Sequence, residues 1–398
     1  MADLLSIDAA LERVLAHARP LATEDVPLER SAGRVLAEDA FATIDLPPFA
    51  NSAMDGFAIR AEDVPGTLPV AGRIAAGLPA DTPLGPGETM GIATGAVVPA
   101  GADTVVPLEV VVDSGNSVEF FASVIRGSNV RARGGDLPAG ALVVAAGTRL
   151  GPAQLGALAA AGVAIARCAR RPRVALLTTG SELRQPGTTL AAGQVYEANG
   201  VALAAALAAA GAEVEWLPPV EDDPAAHREA LGHGLQADVL VTSGGVSVGP
   251  HDLVRATARE LGVEEVFWGV AVRPGKPLAF GVRGATLVFG LPGNPLASLV
   301  SAELFVRPAL LALQGHAEPR PRFEAGELTS SLHRADVRDE LVRARALVGE
   351  DGIVSLEPLT GQESHMIARA AAATALVLVP RGTGELPAGS IVRYLRLG

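Results

Sequence analysis

Three glycine-rich stretches in the second half of this 398-residue chain each follow a short apolar run: TTGSELR at 178–184, TSGGVSVGPHD at 242–252 and FGLPGNPLASLV at 289–300. Such turns let backbone N–H groups come close to an oxyanion, and the N-terminus of a following helix adds a favourable dipole. Any one of the three reads equally well as an ordinary loop in which glycine supplies a positive φ. Three at the same end of one sheet converge on a single crevice, which favours an anion site. They supply Ser243, Gly244, Gly245, Ser247, Pro292, Gly293 and Asn294 as candidate substrate-binding or oxyanion-binding residues. None fits the GxxxxGK[ST] phosphate loop, and SGGVSVG has the wrong spacing for a dinucleotide fingerprint.

Charged residues sharpen this reading. The 32 basic residues comprise one lysine, Lys276 in VRPGKPLAFG, and otherwise arginine. An ammonium is a compact point charge that can sit against an oxyanion, so Lys276 and nearby Arg273 are candidates to hold one. Glu182 and Asp252 each follow a glycine turn. They read either as solvated acids near helix starts or as Mg²⁺ ligands, since that ion takes one or two carboxylates plus substrate oxygens and water. Asn199 and Asn294 are turn or cap residues, or hydrogen-bonding groups for a heterocycle. In the first half, NVRARGGD places Arg131, Arg133 and Asp136 in an irregular loop. Two arginines two apart in a strand would project to one side as an oxyanion clamp, with a solvated loop as the alternative. PPFANSAMDGFAIR packs Asn51, Ser52, Met54, Asp55 and Gly56 side by side, and Thr94 lies among the turns of 92–109. GQESHM at 361–366 carries Ser364 and His365, but no GxSxG elbow exists to indicate a hydrolase.

The elements that must position these residues fall into blocks. The N-terminal MADLLSIDAALERVLAHARP, with its early Asp and Glu, reads as an amphipathic helix capped by Ser6, not a signal peptide. A region rich in Gly, Pro and β-branched residues follows, with strands in DTVVPLEVVVD and VEFFASVIR and a hairpin turn at Asn116. TRLGPAQLGALAAAGVAIARCARRPR gives a helix and a strand. From RVALLTT onward, buried strands alternate with helices near 198–210, 223–235, 251–261 and 295–314, the pattern of an open, mostly parallel sheet covered on both faces. Beyond Arg320 strand patterns return, as in a small closed or nearly closed β-domain. These changes of pattern place expected boundaries near 44, 137, 171 and 319.

Composition narrows the function classes. The formal charge is −12, aromatic residues are 4% and no basic run is interleaved with aromatics, so a nucleic-acid groove is disfavoured. The alanine-rich run at 201–212 is too short to span a bilayer, and the single cysteine, Cys168, excludes an internal disulfide and a Cys-clustered zinc site. The expectation is a cytoplasmic protein that engages neither membrane nor nucleic acid.

Taken together and in order, PPFANSAMDGFA, ATGAVVPAGADTVV, NVRARGGD, TTGSEL, TSGGVSVGPHD, RPGKPLAFG and GLPGNPLAS resemble the molybdopterin molybdotransferase family, which is related to the C-terminal domain of gephyrin. The resemblance covers nearly the whole chain. It implies a three-layer α/β molybdopterin-binding domain, a β-rich insertion, an elongated N-terminal domain and a C-terminal β-barrel. It also implies a homodimer whose site joins the α/β domain of one subunit to first-half loops of the other. The implied reaction inserts molybdenum from molybdate into the dithiolene of adenylylated molybdopterin, releasing AMP with help from Mg²⁺. The molybdopterin adenylyltransferase of the same pathway is an implied partner. Asp55, Asp252 and Lys276 would be catalytic, and Glu182 and Asp252 would hold the metal. Arg131, Asp136, Arg273 and Ser364 fall on matching positions. The chain departs from the family where acids usually stand, at Ala50, Gly135, Ser181 and Pro250, and has Phe57 in place of Tyr. The alternatives are a molybdopterin-binding scaffold or storage protein and a divergent paralogue. Adenylyltransferase activity is disfavoured because DLVRAT follows the loop Asp where a TPEA-like stretch is expected.

Overall fold

The computed structural model describes residues 4–220, 223–245, 253–335 and 337–397. Its centre is a six-stranded sheet. From one edge to the other the strands run Glu213–Trp216, Arg173–Thr178, Val239–Ser243, Thr286–Leu291, Ala279–Arg283 and Glu264–Trp268. The first four are mutually parallel, and Ala279–Arg283 is antiparallel to both neighbours. Alternate residues feed two different cores, as period-2 strands covered on both faces must. Val174, Leu176, Val239, Val241, Leu287 and Phe289 pack on one face, and Ala175, Leu177, Leu240 and Val288 on the other. Helices Pro224–Gly234 and Leu253–Glu260 cover the second face. Helix Asn199–Ala209 and a long helix over 295–313 cover the first. The long helix comprises Pro295–Ser301, a π-turn at Ala302–Val306 and Arg307–Leu313. It is long and apolar enough to cross a membrane, yet 78% of it is buried, so its apolar surface serves the core.

The expected N-terminal helix forms at Ile7–His17, where the Ser6 side chain accepts from the Ala9 amide at 3.1 Å. Ile7, Ala10, Leu11 and Val14 join the α/β core rather than the elongated body that follows in sequence. That body is built from two distant segments. Thr23–Pro27 pairs antiparallel with Ile165–Ala169, and Ala40–Phe41 with Leu142–Val144, over a core that includes Leu36, Leu158 and Cys168. Between them the chain leaves at Leu46 and returns beside it at Leu137, with the Leu46 amide donating to the Leu137 carbonyl at 2.7 Å. The inserted residues form a second six-stranded sheet, ordered Thr104–Pro107, Gly56–Ile59, Thr89–Ile92, Gly66–Ile74, Ser117–Phe120 and Val111–Asp113. The turn at Asn116 joins the last two strands in register.

The C-terminal strands close on themselves. Asp339–Val348 pairs with Val354–Pro358, which pairs with Phe323–Leu328, then Ile391–Arg396, then Ala375–Val379, which returns to Asp339–Val348. This barrel has no free edge around the ring. It docks on the α/β body through the two-residue strand Val272–Arg273, which pairs parallel with Asp339 and Glu340.

One glycine in the inserted sheet is required by close approach. A Cβ on Gly56 would lie 2.1 Å from the Val106 carbonyl oxygen on the adjacent strand. Gly56→Ala is therefore expected to destabilise the chain by about 3 kcal/mol, measured by denaturant titration. An unchanged midpoint would contradict the packing described.

Candidate functional site

The three glycine turns leave the carboxyl ends of adjacent parallel strands, so they lie side by side as the pattern predicts. One amide ties two of them together. Asn199 Nδ2, at the start of its helix, donates to Ser243 Oγ at 2.9 Å and to the Gly293 carbonyl at 2.7 Å. Ser243 Oγ also lies 2.9 Å from Ser298 Oγ and donates to the Pro292 carbonyl at 3.3 Å. Ser243 is thus buried in a loop-to-loop network, and its hydroxyl holds the turns together instead of facing the open crevice. Gly244 and Gly245 have φ of 100° and 65°, and a Cβ on either would crowd Thr179 or Val254 at 2.7 and 2.6 Å. Positive φ and close approach coincide there. Ser247 and Asp252 lie outside the described residues.

Beside these turns a crevice of about 350 Å³ opens between the α/β body and the barrel. Arg273, Lys276, Pro292 and Asn294 line it from one side, and Arg338, Glu363, Ser364 and His365 from the other. Asn294 Nδ2 donates to Ser364 Oγ at 2.8 Å, and the Leu296 amide donates to the Ser364 carbonyl at 3.2 Å. The barrel loop therefore satisfies a first-turn N–H of the long helix that has no partner within the helix. Arg273 Nη1 donates to Glu340 Oε1 at 2.9 Å, so part of its guanidinium is committed within the crevice wall. Lys276 and Arg338 form no ion pair with a carboxylate among the described residues. Three cations thus face one cavity, as an anion site requires.

No sequence signal points to Arg338: it sits in a stretch without a turn signature and reaches the crevice only because the barrel docks there. The pinning role of Asn199 likewise depends on the juxtaposition of two loops, which its local sequence does not convey.

The first-half candidates gather elsewhere, on the inserted sheet. Asp55 Oδ1 accepts from the Thr94 amide at 2.7 Å, and both residues are exposed. Ser52 is fully buried, with Oγ donating to the Met54 carbonyl at 2.5 Å, so it braces the loop that presents Asp55. Asn51 is buried beside it and pairs in register with exposed Arg131; its Oδ1 has no hydrogen-bond partner. Arg131 ends its two-residue strand. Arg133 lies beyond it in a turn, with Nε donating to Asp45 Oδ2 at 2.6 Å, so the two arginines do not form the strand-borne clamp considered from sequence. Arg133 and the Ala139 amide together hold the Asp45 carboxyl below its usual range, with the amide the larger cause. Asp136 is exposed, and its amide donates to the Leu46 carbonyl. None of these residues lines the crevice of the same chain.

Glu182 is exposed, and its carboxylate folds back over Gly180, where a Cβ would lie 2.6 Å from Oε2. No group of three His, Cys, Asp or Glu could hold a metal among the described residues. A lone accessible carboxylate fits an ion such as Mg²⁺ that draws most of its ligands from substrate and water.

These features define an open α/β ligand-binding domain embedded in a multidomain chain, with its crevice closed by a barrel. Known proteins share both parts. Family models match residues 5–162 as the MoeA N-terminal region (domain I and II), 175–312 as a probable molybdopterin binding domain, and 325–397 as the MoeA C-terminal region (domain IV). The chain is 33% identical over 395 residues to the molybdopterin molybdenumtransferase of Haemophilus influenzae, covering 98% of each. It is 38% identical over 380 residues to molybdopterin molybdenumtransferase 2 of Mycobacterium tuberculosis, covering 92% of this chain and 93% of the relative. A crystal structure of the molybdopterin biosynthesis moeA protein from Pyrococcus horikoshii OT3 superposes with a TM-score of 0.84 at 26% identity, over 99% and 100% of the two chains. The chain belongs to the molybdopterin molybdenumtransferase family, whose members are enzymes of molybdopterin biosynthesis.

A buried carboxylate sits at the start of the Asn199–Ala209 helix. Glu197 accepts from the Gly200 amide at 2.8 and 3.0 Å, and burial pushes its carboxyl above the usual value, against the pull of the Gly200 and Asn199 amides. A folded-state pKa above the unfolded one means the folded chain holds the proton more tightly. Stability is therefore lost as pH rises from the ordinary glutamate value of about 4.3 through the raised one. Glu197→Gln lacks this loss, so its stability relative to the parent should climb across that window and then level off. Denaturant titrations at about pH 4 and about pH 7 measure the difference, and an equal gap at both would contradict the assignment.

Proposed function

We propose that this chain transfers molybdenum from molybdate to the dithiolene of adenylylated molybdopterin, releasing AMP. The observation that carries this reading is the crevice in which Lys276, Arg338 and part of Arg273 face one cavity beside three glycine turns. A cation about 4 Å from an oxyanion contributes on the order of 4 kcal/mol at an effective dielectric near 20, before desolvation. Two or three such contacts offset the repulsion of a chain whose formal charge is −12. Lys276 and Arg273 hold molybdate oxygens, with Arg338 opposite. Gly245 and Gly293 offer backbone N–H groups, and Asn294 its second amide hydrogen, to the nucleotide phosphates, while Gly244, whose N–H is taken by the Leu291 carbonyl, shapes the turn; Asn294, Ser364 and Pro292 border the cavity. Metal transfer joins both dithiolene sulfurs to molybdenum, and one oxo group leaves as water, taking up the two thiol protons. A water adds across the phosphoanhydride between the pterin phosphate and the adenylate, so AMP leaves and the phosphate stays on the pterin. Glu182 and Asp252 would hold Mg²⁺, which would neutralise charge at the phosphates.

Asp55, Thr94, Asn51, Ser52, Arg131 and Asp136 belong to the same site through a homodimer, in which the inserted sheet of one subunit faces the crevice of the other. Two observations support this: Asp55, Thr94, Arg131 and Asp136 are exposed and away from their own crevice, and Phe41, Ile44, Leu142 and Ile165 leave apolar surface exposed on the elongated body. In the dimer Asp55 orients a substrate group across the interface. The division into domains at 1–44, 45–137, 138–171, 172–319 and 320–398 belongs to the same reading, with the Ile7–His17 helix docked on the α/β core. So do a cytoplasmic location and receipt of the pterin nucleotide from the molybdopterin adenylyltransferase.

Single-turnover AMP release from adenylylated molybdopterin, with Mg²⁺ and with or without molybdate, tests this function. Molybdate-dependent release is expected, with Lys276→Met and Asp55→Ala each slowing it about 10²-fold or more. Tight binding without release would identify a scaffold or divergent paralogue, and full activity in Lys276→Met would remove the lysine from the mechanism.

A further inference from the structure

Arg343 is the largest side chain fully buried in the chain, and it lies inside the barrel wall rather than on a surface that could bind an anion. Its guanidinium donates to the Met366 carbonyl at 2.7 Å, to the Gly361 carbonyl, and more weakly to the Glu363 carbonyl at 3.4 Å. Its backbone is held as well. Gln362 Oε1 accepts from the Arg343 amide at 3.0 Å, and Gln362 Nε2 donates to the Arg343 carbonyl at 3.0 Å. The loop gripped at both ends, 361–366, is the one that presents Ser364 to Asn294 and Leu296.

No carboxylate forms an ion pair with Arg343 among the described residues; the partners of its guanidinium are loop carbonyls. A buried cation is costly to leave unpaired, and a planar fork satisfied by several carbonyls fixes the backbone that carries them. An apolar side chain would fill the same space with less desolvation, so barrel packing alone does not call for arginine here.

We propose that Arg343 is a positioning residue that fixes the 361–366 loop, and through Ser364 sets the barrel side of the crevice against the long helix. The role of that crevice rests on the function proposed above, whereas the positioning itself is read without it. The fork closes the loop, the loop presents Ser364, and Ser364 satisfies both the Asn294 amide and the Leu296 N–H.

Amide hydrogen exchange on the full-length protein tests this directly. Leu296 is the reporter, because it lies in another body of the fold and its amide donates to the Ser364 carbonyl. Arg343→Lys keeps the charge but loses the fork, and Arg343→Met removes the charge. Both should speed exchange at Leu296 and through 361–367 by about tenfold or more, while barrel amides at Val377 and Leu395 stay slow. If Arg343→Met fails to fold, Arg343→Lys decides. Unchanged exchange at Leu296 would overturn the proposal, and so would equal acceleration of the barrel amides, which would make Arg343 a support of the barrel itself. In molybdate-dependent AMP release, Arg343→Lys and Ser364→Ala should each raise KM more than they lower kcat, and the double variant should lose no more than the worse single one. Additive losses would overturn the route through Ser364. If the parent releases no AMP, the proposed function fails while the exchange result still decides the role of Arg343.

Discussion

An oxyanion approaching this chain meets a formal charge of −12, and at physiological ionic strength that repulsion is screened within roughly 8 Å. Local arrangement therefore decides whether an anion is held. The arrangement here is a junction: Arg273 and Lys276 come from the α/β body, Arg338 from the edge of the barrel, and the crevice exists only where the two meet. The short pairing of Val272–Arg273 with Asp339–Glu340 fixes that meeting by backbone hydrogen bonds, and the Arg273–Glu340 ion pair adds to it. That pair is partly shielded on its carboxylate side, which favours it over a fully solvated one.

Holding the crevice open also requires its floor to be rigid. Asn199, Ser243 and Ser298 share hydrogen bonds across two turns that glycine makes possible but would otherwise leave loose. Each glycine there brings conformational freedom that the side-chain network removes. Ser243, expected at the substrate, freezes the loops, and Ser52 braces the loop of Asp55 on the inserted sheet. Small hydroxyl residues beside glycines serve as readily for bracing as for binding, because a short side chain reaches its own loop backbone first.

What the sequence conveyed and what it withheld follow from this distinction. The short apolar runs in RVALLTT, ADVLVTSGG and ATLVFGLPG identified central strands because both faces are buried, and the Ser6 cap marked the first helix because capping is local. The barrel strands were legible as period-2 runs. Contacts between remote segments were not. Nothing near Arg338 signals that docking will carry it to Lys276, and the spacing of Arg131 and Arg133 suggested a clamp because it could not show that the strand stops between them. Nor does local pattern reveal that the first helix, adjacent in sequence to the elongated body, belongs to the α/β core: its amphipathic stripe specifies an apolar partner without saying which.

The pairing of Thr23–Pro27 with Ile165–Ala169 carries a consequence for how the chain is made. Synthesis runs from the N-terminus, so the first strand of the elongated body emerges well before its partner, while the inserted sheet between them has all of its strands available earlier. The Ile7–His17 helix waits longer still, since it packs against Ala302–Val306 and Arg307–Leu313, and His17 against Phe280, all of which follow much later. On the ribosome, then, the order of completion is inside-out: the insertion can mature first, the body that carries it second, and the earliest-made helix among the last. Until then its apolar stripe is an exposed surface on the nascent chain, with Asp8, Glu12 and Arg13 on the same helix to keep it soluble.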